Sequence, residues 1–226
     1  MWYSEGLLLP GYEIAALNRA GACPAHEIGV VRISSDKLAV WVIRESDREG
    51  RDRVINQLES ALKTRSPERV LVQLNDSICE EAIADSQKLS LWPCVCIMVF
   101  DHSQHVLSVS TAGIEGPELL RSDDTLILPE QDRCGIPLGM FPGTVYETQS
   151  VHVESLMSVI WVSPYSADCT DPKGQVYAHC GLSPQILAGP RRPKSFVEYL
   201  ASDIDRHMAG KVQIEDICVF CTRRQD

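Results

Sequence analysis

Lys37-Leu38-Ala39-Val40-Trp41-Val42-Ile43 is the stretch on which the fold turns. It is a short apolar run with valine, tryptophan and isoleucine, bounded by Ser34-Ser35-Asp36 before it and by charged residues after it. A run this short, between turn residues and charges, reads as a buried β-strand. After Gly50 the period changes: Val54, Ile55, Leu58, Ala61 and Leu62 recur at intervals of three and four among polar residues, which is helical spacing. Ser66-Pro67-Glu68 then restarts a helix, with Ser66 as N-cap and Pro67 in the first turn, and Val70, Leu71, Leu74 and Ile78 form its apolar stripe.

Outward from this strand and its two helices, the C-terminal side is dominated by strands. They are expected at residues 95–100, 106–110, 119–120, 125–128, 145–153 and 156–162. Turn chemistry separates them at Asp101-His102-Ser103, across 113–117, and at Phe141-Pro142-Gly143. Phe196, Val197, Leu200, Ile204 and Met208 mark one amphipathic helix closed by Gly210, and a last strand covers 217–221. The order β, αα, a run of β, α, β predicts an α/β (α+β) sandwich, two packed and mostly antiparallel β-sheets flanked by α-helices. Neither an internal repeat nor a low-complexity linker interrupts residues 1–226, so one domain is expected.

Composition narrows the function. With 21 basic against 31 acidic side chains the formal charge is -10, and the basic residues are scattered, which argues against nucleic acid as a partner. No apolar run approaches the ~20 residues of a membrane helix. The start of the chain lacks the charged and apolar regions of a signal peptide, so the expected location is the cytoplasm. Nine cysteines, an odd number spread from Cys23 to Cys221, read as reduced thiols. Alternation puts Cys94 and Cys96 on one strand face, whereas it sends Cys218 and Cys221 to opposite faces, which disfavours a zinc pair. The six histidines stand in no nucleophile-elbow or His-x-x-x-His context, and His179 beside Cys180 in an extended chain points away from it.

Several strings, in order and spacing, resemble the SpoIIE/RsbU branch of the PPM-type, metal-dependent serine/threonine phosphatases. Ser110-Thr111-Ala112-Gly113 followed by Pro117-Glu118-Leu119-Leu120-Arg121 looks like that family's N-A-G-H-x-P-x-L-L-x-R stretch. Gly135-Ile136-Pro137-Leu138-Gly139, with Phe141 and Tyr146 after it, looks like its G-x-P-L-G turn and the strand beyond. Asp171-Pro172-Lys173-Gly174 with Tyr177 is similar to N-x-x-G-x-x-F, and Glu215-Asp216-Ile217 is similar to the D-D-I that opens the last strand. The resemblance runs over residues 8–224.

The resemblance implies two divalent cations held by carboxylates from four motifs, with a metal-bound water attacking a phosphoserine or phosphothreonine; hard Mn²⁺ or Mg²⁺ requires oxygen ligands. Here Val31 falls at the first metal-binding Asp, Glu45 at the bridging Asp, Pro164 at the Asp of T-D-G, and Glu215 and Asp216 at D-D-I. Val31 and Pro164 are lost ligand positions; Glu45, Glu215 and Asp216 are the residual metal candidates. The resemblance therefore implies a catalytically impaired or inactive phosphatase homologue, a pseudophosphatase with no expected cofactor. It would act in partner-switching signalling on a protein partner, either an anti-sigma-factor antagonist, an anti-sigma kinase or a related phosphatase. The alternative is a working Mn- or Mg-dependent phosphatase with a site rebuilt from these carboxylates and Asp47 or Asp168. A homodimer is also open, with the helix over 63–80 as its candidate face.

Overall fold

The structure, a computed structural model, describes residues 9–84, 92–127, 134–178 and 182–225. In chain order its elements are β1 (Tyr12–Arg19), β2 (His26–Arg32), β3 (Lys37–Arg44), α1 (Arg48–Leu62), α2 (Pro67–Ala84), β4 (Cys94–Asp101), β5 (Val106–Ala112), β6 (Glu118–Leu120), β7 (Leu126–Ile127), β8 (Gln149–His152), β9 (Ser158–Val162), α3 (Pro164–Asp168), α4 (Ser183–Ala188), α5 (Pro193–Met208) and β10 (Ile217–Arg224). They form two compact units, neither continuous in sequence. One takes residues 1–26, 117–128 and 154–226; the other takes 27–116 and 129–153.

The second unit is a five-stranded sheet in the order β2-β3-β4-β5-β8. Its centre is the opening stretch: β3 pairs antiparallel with β4 from Lys37 against Asp101 to Arg44 against Cys94. Alternation along β3 sends Ala39, Trp41 and Ile43 to the face that packs with Val54, Leu58, Leu62, Val70, Leu71 and Leu74 of α1 and α2. Leu38, Val40 and Val42 on the opposite face are equally buried, which is why the run shows no polar alternation. Each fully buried leucine on the helices stabilises by about 2 kcal/mol, enough to hold α1 despite its largely charged remainder. Gly29 lets the indole of Trp41 lie across β2, since a Cβ there would stand 2.0 Å from the ring.

The first unit is a five-stranded sheet in the order β1-β10-β9-β6-β7, with antiparallel pairings throughout. Ile217, Val219 and Cys221 of β10, with Ala15 and Leu17 of β1, pack on Phe196, Val197, Leu200, Ile204 and Met208 of α5. Cys218, three residues from Cys221, points to the other face, where its thiol meets Oδ1 of Asn18 at 3.4 Å. All eight described cysteines are free.

Two antiparallel sheets with helices on them is the expected fold class. Differences are local. β1, β2, α3 and α4 had no expected counterpart, and the strand expected over 145–153 is confined to Gln149–His152. Residues before it are bound to α2 by side chains instead: Tyr146 donates to Oδ1 of buried Asn75 at 3.3 Å, and Thr148 donates to Glu68. Of the strand expected over 125–128, Leu126–Ile127 forms, and Leu128 lies outside the described residues. α5 turns left-handed already at Ala209, with φ 47°, one residue before the expected Gly210. Among the described residues no helix is long and apolar enough to cross a membrane.

Candidate functional site

The start of β10 carries two of the acidic candidates, Glu215 and Asp216. Asp216 is 1% exposed, and its carboxylate faces the loop between β1 and β2. Oδ1 accepts from the Gly21 amide at 2.9 Å, and Oδ2 accepts from the amides of Ala25 at 2.7 Å and His26 at 2.6 Å. Three amide dipoles converge on one buried carboxylate, as charge-assisted bonds of this length require. Gly21 permits the close crossing: a Cβ there would lie 2.4 Å from the Ile214 carbonyl oxygen. The amides of Ala22 and Cys23 close the same loop onto the carbonyls of Gln213 and Ile214. Glu215 is partly exposed, and its carbonyl accepts from Nε2 of Gln213 at 2.8 Å.

Pro164 opens α3 in the same unit. Its fixed φ and missing N–H suit the first helical position, where the amide has no intrahelical partner. Before it, buried Ser163 donates to the Asp216 carbonyl at 3.0 Å and accepts from the Cys218 amide at 3.1 Å. The Ser163 and Ser166 hydroxyls lie 2.8 Å apart. Position 164 thus belongs to a helix start tied to β10, and Asp168 is exposed at the helix end.

In the other unit Glu45, 6% exposed, follows β3. Its Oε1 accepts from the Asp47 amide at 2.9 Å, and burial pushes its pKa up more than that bond pulls it down. Asp47 is the N-cap of α1, accepting from the Gly50 amide at 2.8 Å. Arg51 donates to the Glu45 carbonyl at 3.1 Å and pairs with Glu27 at 3.3 Å. Val31 is a core residue, packed in the cluster of Trp41, Val54 and Leu58 on the helix-bearing face.

A binuclear Mn²⁺ or Mg²⁺ centre needs several oxygens free to converge on each cation. Val31 and Pro164 carry no side-chain oxygen, Asp47 caps a helix, and both oxygens of Asp216 already accept backbone amides. Among the described residues no group of three or more His, Cys, Asp or Glu is placed to share a cation. The donor set present does not fit such a centre. Two of the buried thiols are poor nucleophiles as well: burial pushes Cys96 up to about 12 and Cys169 up to about 11. His179 and Cys180 lie outside the described residues.

Two groups that order the loops around these positions escaped the sequence reading. Ser163 is one. Asn75 is the other: wholly buried on α2, it accepts from the Gly139 amide at 3.0 Å and donates to the Phe141 carbonyl at 3.0 Å. The one signal for Asn75 in the sequence is an amide within an apolar stripe, between Leu74 and Ile78.

Two antiparallel five-stranded sheets with flanking helices match the fold of PP2C-type phosphatase domains. Residues 52–225 match the family model of stage II sporulation protein E, SpoIIE, and the chain belongs to that family. The PP2C phosphatase domain with a regulatory fragment of SpoIIE from Bacillus subtilis superposes with a TM-score of 0.72 at 14% identity, over 94% of this chain and 63% of that one. The RsbU and RsbW domains of a Mycobacterium tuberculosis protein give 0.71 at 16% identity, over 96% of this chain and 61% of that one. The SiaA PP2C domain of Pseudomonas aeruginosa gives 0.73 at 12% identity, over 94% and 85%. The chain thus spans less than two thirds of the first two structures. No curated protein matches it in sequence.

Proposed function

We propose that this SpoIIE-family chain is a pseudophosphatase of the cytoplasm, which holds no catalytic metal and regulates by binding a protein partner. The observation that carries the reading is Asp216: the residue at the family's terminal metal motif has both carboxylate oxygens bound to the amides of Gly21, Ala25 and His26. Pro164 at a helix start and Val31 in the core support it. With Val31 and Pro164 carrying no side-chain oxygen and Asp216 engaged by backbone amides, what these residues can do is shape a surface.

The partner classes follow from the family. RsbU and RsbW domains occur together in one of the similar structures, which supports a phosphorylatable anti-sigma-factor antagonist or an anti-sigma kinase as partner, with an active phosphatase of the same family as the third class. The test is turnover of p-nitrophenyl phosphate and of a phosphoserine peptide with Mn²⁺, alongside calorimetric titration of Mn²⁺ and Mg²⁺. No turnover and no saturable heat are expected. Turnover abolished by Glu45→Gln or Glu215→Gln would overturn the reading in favour of a rebuilt metal site.

A further inference from the structure

Four strands of the second unit share one row at an end of their sheet. Lys37 of β3 pairs with Asp101 of β4, Asp101 with Val106 of β5, and Val106 with His152 of β8, the edge strand. Three of the chain's six histidines stand at this row: His102 and His105 in the turn between β4 and β5, and His152 itself. Two of them are brought together. The imidazole rings of His105 and His152 have centroids 6.4 Å apart and planes inclined at 84°. His102 is engaged elsewhere, its Nε2 3.4 Å from Oδ1 of Asp36. The nearby Asp101 carboxylate is taken by Lys37 at 3.2 Å and by the amides of Ser103 and Gln104.

Backbone holds the pair from both sides. The Val153 amide, next to His152, donates to the His105 carbonyl at 2.7 Å. His105 itself has φ 52°, a left-handed position that glycine enters more readily than any residue with a Cβ. The turn therefore does not ask for an imidazole there, and such positions gather at ligand clamps. We infer that His105 and His152 form a two-ligand site for a borderline divalent cation of the Zn²⁺, Cu²⁺ and Ni²⁺ class. Imidazole nitrogen suits these ions, whereas Mg²⁺ and Mn²⁺ take oxygen. With a cation about 2.1 Å from each nitrogen, the two ring centres on a tetrahedral ion stand ~5 Å apart, so closing by about 1 Å completes the site. His152 is exposed, and rotation of its side chain supplies that shift. Among the described residues no third His, Cys, Asp or Glu joins the pair, so water fills the remaining positions. The bound cation clips edge strand β8 to the turn between β4 and β5. The inference is independent of whether the protein turns over phosphate, since Glu45, Glu215 and Asp216 take no part in it.

The test is calorimetric titration of Zn²⁺ into the untagged full chain with Mg²⁺ in excess, alongside nitrogen-15 NMR of the imidazoles. Wild type is expected to bind one Zn²⁺ in roughly the micromolar range, weaker than a four-ligand site, with the ring nitrogens of His105 and His152 shifting together. His105→Asn keeps a residue suited to the left-handed turn, and His152→Gln changes an exposed side chain, so both variants are expected to fold, as circular dichroism would verify. Each should weaken Zn²⁺ by about tenfold or more, while His102→Gln leaves it unchanged. Wild type without saturable Zn²⁺ binding would overturn the inference. So would a site that survives both His105→Asn and His152→Gln, which would place the ion on thiols, or one lost equally in His102→Gln.

Discussion

The Asp216 carboxylate lies 2.6 Å from the amide nitrogen of His26, a residue 190 positions earlier in the chain. A side chain at a metal motif is here a cap for a loop. The consequence is measurable without any metal. Asp216→Asn replaces one acceptor oxygen with a donor facing backbone N–H groups, and is expected to destabilise the fold by about 2 kcal/mol or more. A carboxylate kept only to bind cations would behave in the opposite way, leaving metal-free stability unchanged or raised when neutralised. Urea unfolding in the presence of a chelator distinguishes the two.

Glu45 makes a prediction of the opposite sign. Burial raises its pKa above the ordinary 4.5, so the folded state holds this proton more tightly than the unfolded chain does. Its contribution to stability is therefore present below the ordinary value and lost as pH rises through the raised one. Glu45→Gln keeps an oxygen for the Asp47 amide and removes the charge. The variant is expected to be more stable than wild type at neutral pH, with the gain vanishing below about pH 4, in thermal melts followed across pH.

Asn75 holds residues 139–146 against α2 through Gly139, Phe141 and Tyr146. Asn75→Ala leaves those groups without their buried partner and is expected to cost about 3 kcal/mol. Hydrogen exchange should speed most at the Gly139 amide. Unchanged exchange there would show that the loop is held by packing alone.

At the end of α5 the left-handed position falls on Ala209, where a Cβ is unfavourable. Ala209→Gly should stabilise the chain by about 0.5–1 kcal/mol, read as a small rise in melting temperature.

The parts of the fold legible in sequence are those whose patterns are local. β3 is flanked by turn residues and buried on both faces, and α5 has an uninterrupted apolar stripe, so both stand out from their own residues. β1, with Ala15 and Ala16 at its centre and Asn18 and Arg19 at its end, has little local strand signal; it forms because β10 pairs with it over its whole length. α3 is five residues beginning with proline, which reads equally as a turn. The strand expected over 145–153 is short because Tyr146 and Thr148 are bound by α2, and those partners are about 70 and 80 positions away. At the site, the missing oxygens at Val31 and Pro164 were legible as residue types. The use of Asp216 was not, because the amides it binds come from a loop at the other end of the sequence, and amides carry no residue signature.

The position of β10 has a consequence for synthesis. It comes last among the strands, yet it lies inside its sheet, hydrogen-bonded to β1 on one side and β9 on the other. On the ribosome, β1 emerges long before β10 and must wait with an open edge until it arrives, as β9 does more briefly. A chain ending before residue 217 would leave both edges unpaired, and open strand edges invite association with other chains. This sheet closes only when residues 217–224 arrive, so a chain ending after β9 but before them should aggregate or be degraded.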